Sequence, residues 1–390
     1  MLHALEGSQA IAQAVALCRP QVVAAYPITP QTHIVENISK LVADGKLKCE
    51  FVSVESEFSA ASVVLGSAAT GSRSYTASSS QGILLMAEVL FDIAGMRLPM
   101  VMTCANRAIS APINIWNDHQ DAMTVRDSGW IQLYCADNQE AIDTTIQAFR
   151  ISERTELPVM VCVDGFVLTH TLEVIDMPTA EQADSYLPPF VFKNKLDPKH
   201  PLSLGTLVGP EYYTEARYSL HRALEKALPE IESADADWAK ICGRACGGLL
   251  SVDGPENATT GVLAMGSVVS TLTEANELLP GKKRIKLMKL RSFRPFPAEA
   301  LRQACAGLKE LIVLERAFSP GCGGILGTEV RAALAGMPKP PAVRNFAVGL
   351  GGRDIPLGTL SKLLDAAKEQ GAEGFSILDV EPERLPPEDR

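Results

Sequence analysis

The chain has 390 residues, 46% of them hydrophobic and 21% charged, enough for two or three soluble domains with full cores. A formal net charge of −10 and a pI near 5.2 argue against nucleic acid or an anionic membrane surface as the main partner. No apolar run approaches the roughly 20 residues of a membrane span. Met1-Leu-His-Ala-Leu-Glu6 lacks the features of a signal peptide, and nine scattered cysteines without a Cys-x-x-Cys fit a reduced, buried set. A cytoplasmic protein is expected, with no metal or iron–sulfur ligand set assigned to this chain.

In chain order, residues 10–18 have helical periodicity, 22–26 are strand, and Pro27-Ile-Thr-Pro30 is a turn that neither element can cross. Helix 33–42, strand 51–54, helix 58–71, strand 74–77, the polar turn 78–82 and helix 83–94 follow. Strand 99–104 leads into a long irregular segment to Asp121, then come strand 130–135, helix 141–150 and strand 159–163. Strands separated by helices in this way imply a parallel sheet covered on both faces, which binds ligands beyond the carboxyl ends of its strands. The pattern makes 1–165 a first domain.

The charge- and proline-rich stretch 166–257 reads as a connecting segment or partner arm, with one helix at 212–228 and weak structure from 234 onward. Alternation resumes at 258–370 as a second, smaller α/β domain: strands 261–265, 285–290, 311–315 and 343–348, helices 268–279, 298–307, 325–335 and 357–368. Residues 371–390 read as an acidic tail.

Several polar positions stand out. Glu55 and Glu57 open a helix made almost entirely of small and apolar residues, expected to pack closely and to bury nearly all but its two carboxylates. Either carboxylate could cap the helix, because an anion is stabilised at a helix N-terminus, or serve as a neutral acid facing an apolar cavity. Arg107 follows an apolar strand with little acid nearby, suited to bidentate carboxylate recognition or to an interface. Thr29 has its hydroxyl held between two prolines, aimed at a ligand or stabilising the turn. His119, between Asp118 and Asp121, reads more readily as a loop organiser than as a general base. Arg291 and Arg294 are expected to bridge to the first domain or a partner, and the Gly349–Arg353 turn is assigned no ligand.

Ala25-Tyr-Pro-Ile-Thr-Pro30, Val54-Glu-Ser-Glu57, Thr76-Ala-Ser-Ser-Ser-Gln-Gly82, the 106–121 segment, Arg294-Pro-Phe-Pro297 and Gly349-Leu-Gly-Gly-Arg-Asp354 occur together and in one order. From Gly7 to about Ala366 the chain thereby resembles the alpha subunit of 2-oxoacid:ferredoxin oxidoreductases. That resemblance implies a thiamine diphosphate pyrimidine-type domain followed by a transketolase C-terminal-like domain. It implies oxidative decarboxylation of a 2-oxoacid to acyl-CoA and CO2, with coenzyme A as co-substrate and electrons leaving singly. Pyruvate is the favoured substrate; branched-chain, 2-oxoglutarate and aryl substrates such as phenylglyoxylate are the alternatives.

The resemblance further implies that Glu57, rather than Glu55, hydrogen-bonds the pyrimidine ring. It places Arg107 at the substrate carboxylate, Thr29 at substrate or cofactor, and Pro27, Ile28, Ser79, Ser80 and Gln81 around the cofactor. The chain has no Gly-Asp-Gly of the diphosphate and Mg²⁺ site; Val163-Asp-Gly165 and Val252-Asp-Gly254 lack the first glycine. A beta subunit is therefore expected to complete the thiamine diphosphate site, with gamma and iron–sulfur delta-type subunits carrying electrons to ferredoxin or to a flavin/NAD subunit. A dinucleotide-binding enzyme is disfavoured by the missing Gly-x-Gly-x-x-Gly. A non-catalytic scaffold subunit is disfavoured because Thr29, Glu57 and Arg107 are all present.

Overall fold

Runs such as Val101–Asn106 and Val159–Asp164 are mostly apolar, with polar residues at their carboxyl ends, and buried along their whole length, the pattern of a central parallel strand between helical layers. The computed structural model describes residues 2–280, 284–369 and 374–390. Its strands are β1 (Leu2–Glu6), β2 (Val22–Ala25), β3 (Glu50–Ser53), β4 (Ser74–Ser78), β5 (Val101–Asn106), β6 (Ile131–Tyr134), β7 (Val159–Asp164), β8 (Leu172–Asp176), β9 (Leu250–Asp253), β10 (Thr260–Ala264), β11 (Lys286–Leu290), β12 (Ser292–Arg294), β13 (Glu310–Glu315), β14 (Ala342–Ala347) and β15 (Phe375–Ile377).

The first sheet has the order β12-β6-β7-β5-β4-β2-β3, parallel except for β12, which runs antiparallel to β6. The second has the order β15-β14-β13-β10-β11-β9, parallel except for β9 against β11. β1 and β8 form a separate antiparallel ribbon. This is the expected α/β class, with the strand-end loops of the first sheet gathered on one edge. One apolar cluster runs from Ile83, Met102 and Trp130 into Leu263, Met288 and Phe293, so the two sheets share a core.

Several elements differ from expectation. The helix expected to end at Leu228 runs from Pro210 to Cys242, through the stretch read as weakly structured. Pro229 stops a reading by propensity, because a proline costs a helix interior about 3 kcal/mol. Burial of Ile231, Ala234 and Trp238 beyond it outweighs that cost, at roughly 1.5–3 kcal/mol for each large side chain. Trp238 Nε1 donates to Asp143 Oδ1 (2.9 Å) in the helix Asn138–Thr155. β9 also falls in the stretch read as weakly structured, and β15 in the stretch read as tail, of which residues 371–373 lie outside the described residues.

The helix Glu57–Ala69 does not bury almost everything else. Phe58, Ser62, Gly66 and Thr70, spaced four apart, form an exposed stripe, while Ala60, Ala61, Val64 and Ala68 face the core. Arg291 meets its expectation: fully buried, it donates to Thr144 Oγ1, Gln147 Oε1 and the Gly248 carbonyl, joining the first domain.

Candidate active site

The turn after β2 is set by Gln31, a fully buried amide. Its Oε1 accepts from the Ile28 N–H (3.2 Å) and its Nε2 donates to the Ala77 carbonyl at the end of β4 (2.7 Å). Pro27 and Thr29 are exposed on the resulting loop, and Ile28 is half-buried. Pro30 packs on Gly165, where a Cβ would lie 2.6 Å from Pro30 Cγ and 2.4 Å from the Asn106 carbonyl oxygen.

The two helix-opening carboxylates have separate environments. Glu55 is exposed and accepts from the Ser59 hydroxyl, which holds its carboxyl below the usual range. Glu57 is buried at the first helical position, with Ser56 capping the helix by accepting from the Ser59 N–H (3.2 Å). Glu57 lies against Gly82, whose added Cβ would sit 2.6 Å from Glu57 Cγ, 2.8 Å from Oε1 and 2.3 Å from Ser78 Oγ. The Ser78 hydroxyl and Gln81 Nε2 are buried there without a hydrogen-bond partner. A buried carboxyl, a notch that a side chain would fill and two unpaired polar atoms fit a flat, polar heterocycle such as the thiamine pyrimidine.

Ser79 and Ser80 are fully buried, but their hydroxyls do not point into open space: Ser79 Oγ donates to the Ala105 carbonyl (2.6 Å) and Ser80 Oγ to that of Ala108. Ser80, at φ 48°, starts the helix Ser80–Leu85, which begins inside the expected 78–82 turn, ahead of the helix expected from residue 83. Its left-handed backbone is held by Asp121, which the sequence presents only as a neighbour of His119. Asp121 accepts from the N–H groups of Ser80 (2.9 Å), Arg107 (3.0 Å) and Ala122 (2.7 Å) and from Asn106 Nδ2 (2.8 Å). Burial nevertheless pushes its pKa up to about 6. No spacing rule could reveal this residue, because its partners come from three segments.

Arg107 is buried, and its guanidinium donates to the carbonyls of Asn114 (3.0 Å) and Thr29 (2.9 Å) rather than to a carboxylate. Burial lowers its pKa from the ordinary arginine value. A desolvated cation paired with carbonyl dipoles retains the capacity to bind an anion. The structure thus brings Thr29 and Arg107 into direct contact and links Arg107 through Asp121 to the Ser80 loop beside Glu57.

His119 is the loop organiser expected. Its Nε2 lies 2.7 Å from Asp164 Oδ1 at the end of β7, and its N–H donates to the Arg316 carbonyl (2.8 Å). Asp164 also accepts from Arg316 Nη1 (3.1 Å) and Ser267 of the second domain. Burial acts to raise the Asp164 pKa, but His119 and Arg316 more than offset it and hold the carboxyl well below the usual range. Beside this node, Asn114 Nδ2 donates to the Gly351 carbonyl (3.0 Å) and Asp118 Oδ2 accepts from the Gly351 N–H (3.2 Å). The Gly349–Arg353 turn is therefore an interdomain contact. At Gly352 (φ 81°) a Cβ would lie 2.3 Å from that of Trp116.

A parallel α/β sheet whose carboxyl edge carries a buried acid with a glycine notch beside it, and an arginine held by carbonyl oxygens, defines a thiamine-diphosphate-type ligand domain joined to a second α/β domain. Residues 13–235 match the family described as pyruvate flavodoxin/ferredoxin oxidoreductase, thiamine diphosphate-binding, and residues 258–360 match pyruvate:ferredoxin oxidoreductase core domain II. The chain belongs to the 2-oxoacid:ferredoxin oxidoreductase family.

It is 44% identical over 390 residues to pyruvate synthase subunit PorA of Methanosarcina barkeri, covering 98% of this chain and 97% of that one. It is 46% identical over 358 residues to PorA of Methanothermobacter thermautotrophicus, covering 91% and 92%. Ketoisovalerate oxidoreductase subunit VorA of Pyrococcus abyssi is 40% identical over 379 residues, covering 97% and 96%. The fold is similar to a 2-oxoglutarate:ferredoxin oxidoreductase from Magnetococcus marinus, with a TM-score of 0.72 at 21% identity, covering 94% of this chain and 65% of the other.

Proposed function

We propose that this chain is the alpha subunit of a complex that oxidatively decarboxylates pyruvate to acetyl-CoA and CO2. The observation that carries the reading is the convergence of Thr29, Glu57 and Arg107 on one sheet edge, in a chain that shares 42–46% identity with six pyruvate synthase subunits. The ketoisovalerate relatives, at 38–40%, support a branched-chain 2-oxoacid as the second reading.

Thiamine diphosphate, when bound, supplies an electron sink for cleavage of the bond between carbonyl and carboxylate. Glu57 would hold the pyrimidine by donating to its ring nitrogen, with Ser78, Gln81 and the Gly82 notch shaping the space around it. Arg107 would clamp the substrate carboxylate with its planar fork. Thr29, whose carbonyl fixes Arg107, would direct its hydroxyl at the same substrate. Glu57 and Arg107 together would orient substrate against cofactor and exclude water.

A beta subunit would supply the Mg²⁺ and diphosphate site, and gamma and delta-type subunits the iron–sulfur path to ferredoxin or to a flavin/NAD acceptor. All nine cysteines are free, which fits the reducing cytoplasm, and no described helix is long and apolar enough to cross a membrane. The test is a panel of 2-oxoacids offered to the purified complex with coenzyme A and ferredoxin. Pyruvate should give the highest kcat/KM; a higher value for 2-oxoisovalerate would establish the second reading, and turnover of neither would refute both.

A further inference from the structure

Glu6, His33 and His170 converge beside the active-site edge, although 27 and 137 residues separate them in sequence. Glu6 ends β1, His33 lies in the first turn of the helix Thr32–Ala43, and His170 sits in the turn leading to β8. Pairing of Glu6 with Leu172, with the Ser8 N–H donating to the Thr169 carbonyl (2.9 Å), fixes the β1 end against the His170 turn. Glu6 Oε1 lies 2.7 Å from His33 Nδ1, and the two imidazole rings approach to 4.5 Å between centroids. One ligand atom from each residue lies within 4.8 Å of the others, and all three side chains are half-buried, leaving solvent a way in.

We infer that Glu6, His33 and His170 form a binding site for one divalent transition-metal ion of the zinc type, with water completing its coordination. Two imidazoles and one carboxylate suit a borderline cation, whereas Mg²⁺ and Ca²⁺ require mainly oxygen ligands. Zinc–ligand bonds of about 2.0–2.2 Å place tetrahedral ligands about 3.5 Å apart. Rotation of the half-buried side chains would close the difference.

A second layer is already built. Thr169 Oγ1 lies 2.7 Å from His170 Nδ1 and accepts from the Phe166 N–H (2.8 Å), which occupies one ring nitrogen and leaves Nε2 for the ion. On binding, the ion displaces the proton held between Glu6 and His33. The ion ties β1 and the helix that directly follows the Thr29–Pro30 turn to the loop after β7.

The test uses the full-length chain, stripped with a chelator and titrated with Co²⁺ and then Zn²⁺. One equivalent of Co²⁺ should produce a visible ligand-field spectrum that Zn²⁺ abolishes, and Zn²⁺ should raise Tm by a few degrees while Mg²⁺ does not. Glu6→Gln and His170→Asn should remove both responses while keeping the metal-free circular dichroism. Should either variant fail to fold, zinc protection of His33 and His170 from carbethoxylation, read by mass spectrometry on the wild-type chain, decides the matter. Absence of saturable binding, binding that survives both substitutions, or failure of zinc to protect the two histidines would overturn the site.

Discussion

Gly82 has no side chain where Glu57 needs the room: a Cβ there would come within 2.6 Å of Glu57 Cγ. Since overpacking of a tight site costs typically about 1–3 kcal/mol, Gly82→Ala should lower Tm modestly while it displaces the acid. Glu57→Gln should lower kcat by at least about 100-fold with assembly intact, the range expected for loss of an acid–base group. Activity assays with thermal melts check both. A Gly82→Ala complex of full activity, or a Glu57→Gln complex near wild type, would remove Glu57 from the reaction.

Arg107→Ala should raise the KM for the 2-oxoacid about ten- to a hundredfold, since hydrogen bonds to charged groups contribute about 1.5–3 kcal/mol. The KM for coenzyme A should stay within about twofold, because a carboxylate clamp serves only one of the two substrates. Arg107→Lys, which keeps charge but loses the fork, should fall between. Steady-state kinetics with each substrate varied in turn decides this, and equal rises in both KM values would contradict it.

Asp121 has a folded-state pKa of about 6, above its ordinary carboxylate value, because it is fully buried. Folded chains therefore hold a proton that unfolded chains release between about pH 4 and 6. The stability linked to that proton is complete below pH 4 and is lost as pH rises through 6. The stability advantage of wild type over Asp121→Asn should accordingly shrink by about 2–3 kcal/mol across this window. Urea melts at pH 4.0, 5.0 and 6.5 would read it; an advantage that grows with pH would reverse the assignment.

Arg316→Met should destabilise the full-length chain by about 3–5 kcal/mol, because it leaves Asp164 as a buried carboxylate with one cationic partner fewer. Denaturant unfolding measures the loss. A change below about 1 kcal/mol would mean that apolar packing between the sheets, and not this node, holds the domains together.

Much of this arrangement was legible in the sequence where the signal was local. Alternating strands and helices gave the sheets, and the loops carrying Thr29, Glu57 and Arg107 fell on one edge because successive parallel strands all end there. Glu55 and Glu57, two residues apart, have different environments, exposed for one and buried for the other. What escaped depends on contacts between distant segments. Asp121 acts through partners up to 41 residues away. The helix beyond Pro229 is held by Ile231 and Trp238 against the first core, and the exposed face of the Glu57–Ala69 helix is as small-residue-rich as its buried one.

β12 follows β11 in sequence, yet it pairs with β6 across Ser292–Leu133 and Arg294–Gln132. The polypeptide therefore leaves the second sheet after Leu290, borders the first, and returns for β13. Expressing the chain as two halves divided near residue 257 would leave the front half without its outermost strand. The bare backbone of β6 would then offer an edge on which other copies could add, a template for aggregation.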